Sequence, residues 1–135
     1  MSLHLLDSDS IIDFFAGFAT TISLFDRLVA QGDKLSVCDI VLAEVYSGFS
    51  PADRNRREPF LTALEFLPTS SAAARQAGEW RYIYARQGRA LPTTDCLIAA
   101  VAHAHHATLV TGNIRHFPME GIVILPLPRT RRGGQ

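Results

Sequence analysis

Leu3-His4-Leu5-Leu6-Asp7-Ser8-Asp9-Ser10-Ile11-Ile12-Asp13 is the stretch on which the fold turns. A short apolar run ends at an aspartate, small polar residues follow, and an apolar pattern of a different period resumes. Residues 3–7 read as a short buried strand, residues 8–10 as a turn able to cap a helix, and residues 11–15 as that helix, ending near Gly17. Working outward, Thr20 or Thr21 opens an amphipathic helix with Ile22, Phe25, Leu28 and Val29 on one face, closed by Gly32. Residues 35–38 form a second strand, and Asp39 is placed to cap a helix over 40–49. Ser50-Pro51 restarts a helix, because proline is tolerated at the first helical position, and Pro59 is expected to interrupt or kink it.

Farther along, residues 65–67 read as a short third strand. A long helix runs from Ser70 or Ser71 to about residue 87, stopped by Gly88, and a second covers 95–106, opened by Thr93 or Thr94. Residues 108–111 and 122–125 supply a fourth and a fifth strand. Strands alternating with helices predict an α/β fold of three layers, α/β/α, around a parallel sheet of four or five strands. In such open sheets ligands bind beyond the carboxyl ends of the strands. Asp7 stands at one of those ends, and Asn113 just past another.

The 135 residues suit one domain, assigned to 1–128, with the polar, Gly-rich end at 129–135 expected to be a disordered tail. At 47% hydrophobic and 19% charged, the composition is globular and excludes an intrinsically disordered chain. No apolar run approaches the roughly 20 residues that span a bilayer, and the first residues carry no basic n-region or cleavage site. A cytoplasmic protein with no membrane association is therefore expected. Cys38 and Cys96 each fall in an apolar run and read as buried free thiols. The net charge is zero, but residues 1–50 hold seven acids against Arg27 and Lys34, whereas the remainder holds eleven arginines against six acids. Arginine forks suit phosphate, so the asymmetry admits an anionic partner as well as plain surface charge.

Four positions stand out. Asp7 ends an apolar strand. Glu44 sits among Leu42, Ala43 and Val45. Asp95 opens Asp95-Cys96-Leu97-Ile98-Ala99-Ala100-Val101-Ala102, a helix apolar nearly all round. Asn113 follows the fourth strand. Burying an unpaired carboxylate is costly, and no lysine or arginine lies near Glu44 or Asp95 in sequence. Carboxylates without local cations are what a hard, oxygen-seeking ion uses. Taken singly, Asp95 reads equally as a first-turn acid favoured by the helix dipole, and Asp7 as a turn former.

These segments together resemble the PIN domains. The opening Leu5-Leu6-Asp7-Ser8-Asp9-Ser10-Ile11-Ile12-Asp13 is similar to that family's first motif, and Ala43-Glu44-Val45-Tyr46-Ser47-Gly48 to its helical glutamate. Thr94-Asp95-Cys96-Leu97-Ile98-Ala99-Ala100 resembles its aspartate before an Ile-Ala-Ala run, and Thr108-Leu109-Val110-Thr111-Gly112-Asn113 leading to Phe117 its closing motif. All four occur in order from Leu3 to about Pro126, and the subfamily they resemble is the VapC-like toxins. The resemblance implies a Mg2+-dependent endoribonuclease, with Mn2+ as an alternative ion, that acts as the toxin of a toxin–antitoxin pair. It implies Asp7, Glu44 and Asp95 as metal-binding acids, with Asn113 as a fourth catalytic position lacking the negative charge some members carry there. Asp9 reads as a turn-capping residue or as the supplier of that missing charge. The implied partners are an RNA substrate and a VapB-like antitoxin, in a homodimer or hetero-oligomer.

Two other readings compete. The Asp7-Ser8-Asp9 start also fits a haloacid-dehalogenase-like phosphatase, but that family needs a lysine against the phosphate and a late acidic pair. Lys34 is the only lysine, and no acidic pair follows residue 95. A catalytically weak PIN-like binding module is the non-enzymatic alternative. His103 and His106 share a helix at a spacing that suits zinc, yet no third ligand accompanies them. His116 lies nearer the acids, and Arg54, Arg56 and Arg57 read as phosphate contacts or as a solvated face. The phenylalanines between residues 11 and 25 do not share one helical face, so an exposed apolar groove for a partner helix is expected there.

Overall fold

The computed structural model describes residues 2–128 and forms a five-stranded, wholly parallel sheet in the order β3-β2-β1-β4-β5. The strands are β1 (Leu3–Leu6), β2 (Lys34–Cys38), β3 (Glu65–Leu67), β4 (Thr108–Thr111) and β5 (Ile124–Pro126). Six helices connect them: α1 (Ser8–Phe15), α2 (Ala19–Ala30), α3 (Asp39–Ser47), α4 (Pro51–Ala63), α5 (Ser71–Arg86) and α6 (Thr93–Ala104). Crossovers between parallel strands are right-handed. The steps from β1 to β3 therefore lay helices on one face, and the return to β4 lays α5 and α6 on the other. The expected three-layer α/β arrangement is present. The expected tail at 129–135 lies outside the described residues.

Burial explains the order. β1, at the centre, is Leu-His-Leu-Leu with Leu5 and Leu6 inaccessible to solvent, as a strand covered on both faces requires. Ile11 is equally buried and anchors α1, a side chain whose burial stabilises by about 2 kcal/mol. From Cys96 through Ala102 only Leu97 is not fully enclosed, so α6 is the most deeply buried helix. Cys38 and Cys96 are free buried thiols. No helix among the described residues is long and apolar enough to cross a membrane.

Several boundaries differ from the sequence reading for local reasons. Residues 8–10 are the first turn of α1 and not a turn before it, because the extended Asp7 caps the helix and accepts the Ser8 N–H at 2.8 Å. Cys38 occupies the cap position of α3, while Asp39 accepts the Ile40 N–H at 3.0 Å and the Thr69 hydroxyl at 2.6 Å. The second helix begins at Ala19, before either threonine. A capping box between Ser50 and Asp53 starts α4, which runs through Pro59 as one helix. The fifth strand is shifted to Ile124–Pro126, in register with Leu109–Thr111.

The phenylalanines also resolve differently. Phe60 of α4 stacks on Phe14 at 4.3 Å between ring centroids and meets Phe15 edge-on at 5.4 Å, and Phe25 is buried beneath. These rings pack on one another, while Phe14, Phe15 and Phe18 stay partly exposed and Ile12 is exposed. An open apolar cavity of about 510 Å³ lies between α3, α4 and β3, lined by Val37, Leu42, Tyr46, Leu61, Leu64 and Phe66 among others.

Candidate active site

Neighbouring strands β1 and β4 end together, with Leu6 in register with Val110, at the carboxyl edge where the strand order reverses. Asp7 follows β1 directly and is only 4% exposed. Its Oδ1 accepts the Ser8 N–H, and its Oδ2 accepts the hydroxyl of Thr111, at the end of β4, at 2.8 Å. Burial pushes the Asp7 carboxyl up to about 6, with the charges of Asp9 and Asp95 adding to the rise and the two hydrogen bonds opposing it. Two donors hold this carboxylate, yet its pKa stays raised because burial outweighs them.

Glu44 comes from the middle of α3, which packs on α1 and α6. Its pKa is raised by burial and by the charges of Asp95 and Asp9, and lowered by the Ser8 hydroxyl, which donates to it. Its Oε1 is buried with no hydrogen-bond partner. Asp95 lies in the first turn of α6, where an acid suits the helix dipole. Burial raises its pKa too; His116 opposes that rise, its Nδ1 standing 3.0 Å from Asp95 Oδ2, and Asp9 reinforces it. Asp95 thus bears on both Asp7 and Glu44 at one sheet edge.

Asn113 is brought to the same edge but plays a different part. It is exposed, it precedes a 3-10 turn at Ile114–His116, and its N–H donates to Thr111 Oγ1 at 3.0 Å. Thr111, Ser8 and His116 are the site residues that sequence reasoning missed or left without a role. The Thr-x-Asn turn was a visible signal for Thr111, but its bond to Asp7 spans 104 residues and no local pattern announces it. The N-cap of α1 is Asp7, while Asp9 Oδ2 accepts the Gly112 N–H at 2.9 Å, across the edge from α1. His103 and His106 flank a separate small cavity near Gly121 and do not join the acids.

As placed, no three His, Cys, Asp or Glu side chains among the described residues form a finished metal-ligand set. The donor chemistry nevertheless fits a divalent cation. The site offers carboxylate oxygens, an orphaned buried Glu44 oxygen and carboxyls whose pKa values are raised by burial and by one another. Among the described residues the ion-pair partner of these acids is His116 at Asp95, charged only when protonated. A hard cation would relieve each of these costs.

Fold and site define a class, and the PIN domain profile matches residues 4–118. The chain belongs to the PIN domain family. Among its relatives is the ribonuclease VapC19 of Mycobacterium tuberculosis, 28% identical over 87% of this chain and 94% of that protein. The tRNA(fMet)-specific endonuclease VapC of Shigella flexneri is 29% identical over 73% of this chain and 79% of its own. A DNA-bound VapBC structure from Salmonella typhimurium superposes with a TM-score of 0.79 at 26% identity, covering 95% of this chain and all of that one.

Proposed function

We propose that this chain is a divalent-metal-dependent endoribonuclease, the toxin of a VapBC-type toxin–antitoxin pair. The observation that supports the reading is that Asp95 of α6 bears electrostatically both on Asp7, which follows β1, and on Glu44 of α3, in a chain of the PIN domain family. Relatives named as VapC ribonucleases, one of them tRNA-specific, support RNA as the substrate. The superposition on a VapBC complex supports an antitoxin partner.

Asp7, Glu44 and Asp95 would hold Mg2+ or Mn2+. When bound, the ion supplies a water of lowered pKa and neutralises the scissile phosphate. The chain's own residues prepare that chemistry. Thr111 fixes the Asp7 carboxylate through Oδ2, and Ser8 and His116 steady Glu44 and Asp95. Such partners matter because the ligands must already be aimed when the ion arrives. The uncompensated carboxylates repel RNA by themselves, so the cation serves substrate binding as well as hydrolysis.

The test is cleavage of purified tRNA, ribosomal RNA and messenger RNA by the isolated protein in Mg2+, with EDTA and Asp95→Asn as controls. Specific cleavage in Mg2+ that disappears in both controls is the expected result. Undiminished cleavage in EDTA would overturn the metal mechanism. A protein that cuts no RNA would favour the binding-module reading. The toxin role is checked separately, by growth arrest on expression that a co-expressed cognate antitoxin relieves.

A further inference from the structure

Charge on this chain is segregated around Asp95. Between Glu79 and Asp95 the sequence holds Arg81, Arg86 and Arg89 and no acid, and between Asp95 and Glu120 it holds Arg115 and no acid. The fold gathers these arginines. Arg89 Nη2 donates to the Arg115 carbonyl at 2.8 Å, and the next residue, His116, has its Nδ1 3.0 Å from Asp95 Oδ2. Tyr84 donates its hydroxyl to the Pro118 carbonyl at 2.9 Å, and Arg81 Nε donates to the Leu91 carbonyl at 3.1 Å. The C-terminal end of α5, its connection to α6 and the turn at Ile114–His116 are therefore tied into one surface beside Asp95. Arg86, Arg89 and Arg115 are exposed on it, and among the described residues none of them is paired with an acid.

Tyr82 completes the surface. It is 60% exposed, and the Arg86 guanidinium lies 4.5 Å from its ring centroid and donates to its hydroxyl. The two stand four residues apart on α5, so helix geometry keeps them together. A guanidinium held on a ring keeps edge N–H groups for phosphate oxygens, and the ring offers a face to a base. Bases with free faces belong to single strands and not to the interior of a duplex. Resting on the ribonuclease reading above, we propose that Tyr82, Arg86, Arg89 and Arg115 form the track that holds single-stranded RNA beside the acids. The arginines take phosphates flanking the cut, and Tyr82 with Arg86 takes a base. The segregation of charge then has a use. The acids repel the phosphate to be cut, and a cationic track next to them retains the strand by its other phosphates. An apolar protein face suits this surface poorly, because it would strip water from three guanidinium groups without pairing them.

The test is fluorescence anisotropy of a labelled single-stranded RNA of mixed sequence, about 12 nucleotides long, with the full-length protein in EDTA over a range of salt. Arg86→Gln combined with Arg115→Gln should raise Kd by about tenfold at low salt. It should also flatten the slope of log affinity on log salt by about 1.4, for two lost phosphate contacts at about 0.7 each. Tyr82→Ala should weaken binding by about tenfold and Tyr82→Phe by less than about twofold, since the ring and not the hydroxyl meets the base. The same charge removed elsewhere, from exposed Arg27 on α2 and Arg75 near the start of α5, should leave Kd within about threefold. An equal loss in that control pair (Arg27→Gln with Arg75→Gln), or wild-type affinity and slope in the track variants, would overturn the inference. So would unchanged RNA binding together with a dimer that dissociates in Tyr82→Ala by sedimentation, which would assign the face to a second copy of the chain. Cleavage in Mg2+ is assayed on the same wild-type sample. If the wild type cuts RNA while the binding results fail, the inference alone falls; if it neither binds nor cuts RNA, the ribonuclease reading falls with it.

Discussion

At the carboxyl edge of the sheet β1 is followed by Asp7 and, in the first turn of α1, Asp9, whereas its neighbour β4 ends in Thr111 and is followed by Gly112 and Asn113. The first corner opens a two-turn α-helix and carries negative charge. The second opens a 3-10 turn and carries donors: the Thr111 hydroxyl for Asp7, the Gly112 N–H for Asp9 and, at the end of that turn, His116 for Asp95. One corner therefore supplies the charge and the other aims it. The difference shows how acids can be gathered without a lysine or arginine beside them among the described residues: backbone N–H groups, a hydroxyl and an imidazole orient the carboxylates without cancelling their charge.

The comparison breaks most visibly when charge is removed from the first corner. Asp7→Asn should lower RNA cleavage by about a thousandfold, equivalent to about 4 kcal/mol of barrier, with the fold intact by circular dichroism. Activity within a few-fold of the wild type would place the reaction elsewhere.

A second effect follows from the same carboxylate in the metal-free protein. Its folded pKa, about 6, lies above the ordinary 3.8, so the folded state holds this proton more tightly than the unfolded one. The stability it contributes is complete below about 3.8 and is lost as pH rises through about 6, a change of about 3 kcal/mol. Urea melts in EDTA should show the wild type losing stability relative to Asp7→Asn across that window. Added Mg2+ should restore the wild type alone. Parallel pH profiles for the two proteins would contradict the burial of this charge.

The second corner should respond more modestly. Thr111→Val removes the hydroxyl that steadies the buried Asp7 and should cost about 1–3 kcal/mol in urea melts. Asn113→Ala, at an exposed position whose described bond is a backbone one, should stay within about 0.5 kcal/mol of the wild type. Reversal of that order would mean that the asparagine side chain, and not the threonine, organises the corner.

The strands were legible because each is a short apolar run bounded by turn residues, and Glu65–Leu67 and Thr108–Thr111 fall where the pattern put them. The acids were legible for a related reason: each interrupts an apolar segment, and the PIN-like motifs mark them in order. What the sequence hid is what depends on distant partners. Asp7 meets Thr111 from the far side of the chain, and Phe14 finds its stacking partner in Phe60 of α4, which no local pattern announces. The cavity that does open lies between α3, α4 and β3, whose proximity no local periodicity encodes. Cap positions slipped by a residue where a side chain could serve either its own turn or a neighbour's, as at Asp39.

The most direct test of the account is anomalous scattering from crystals of the metal-free protein soaked in Mn2+. An anomalous peak is expected at the carboxyl edge, within about 2.3 Å of oxygens of Asp7 and Asp95 and with Glu44 turned toward it. Fully soaked crystals with no peak there, or a sole peak at the histidines near Gly121, would contradict it.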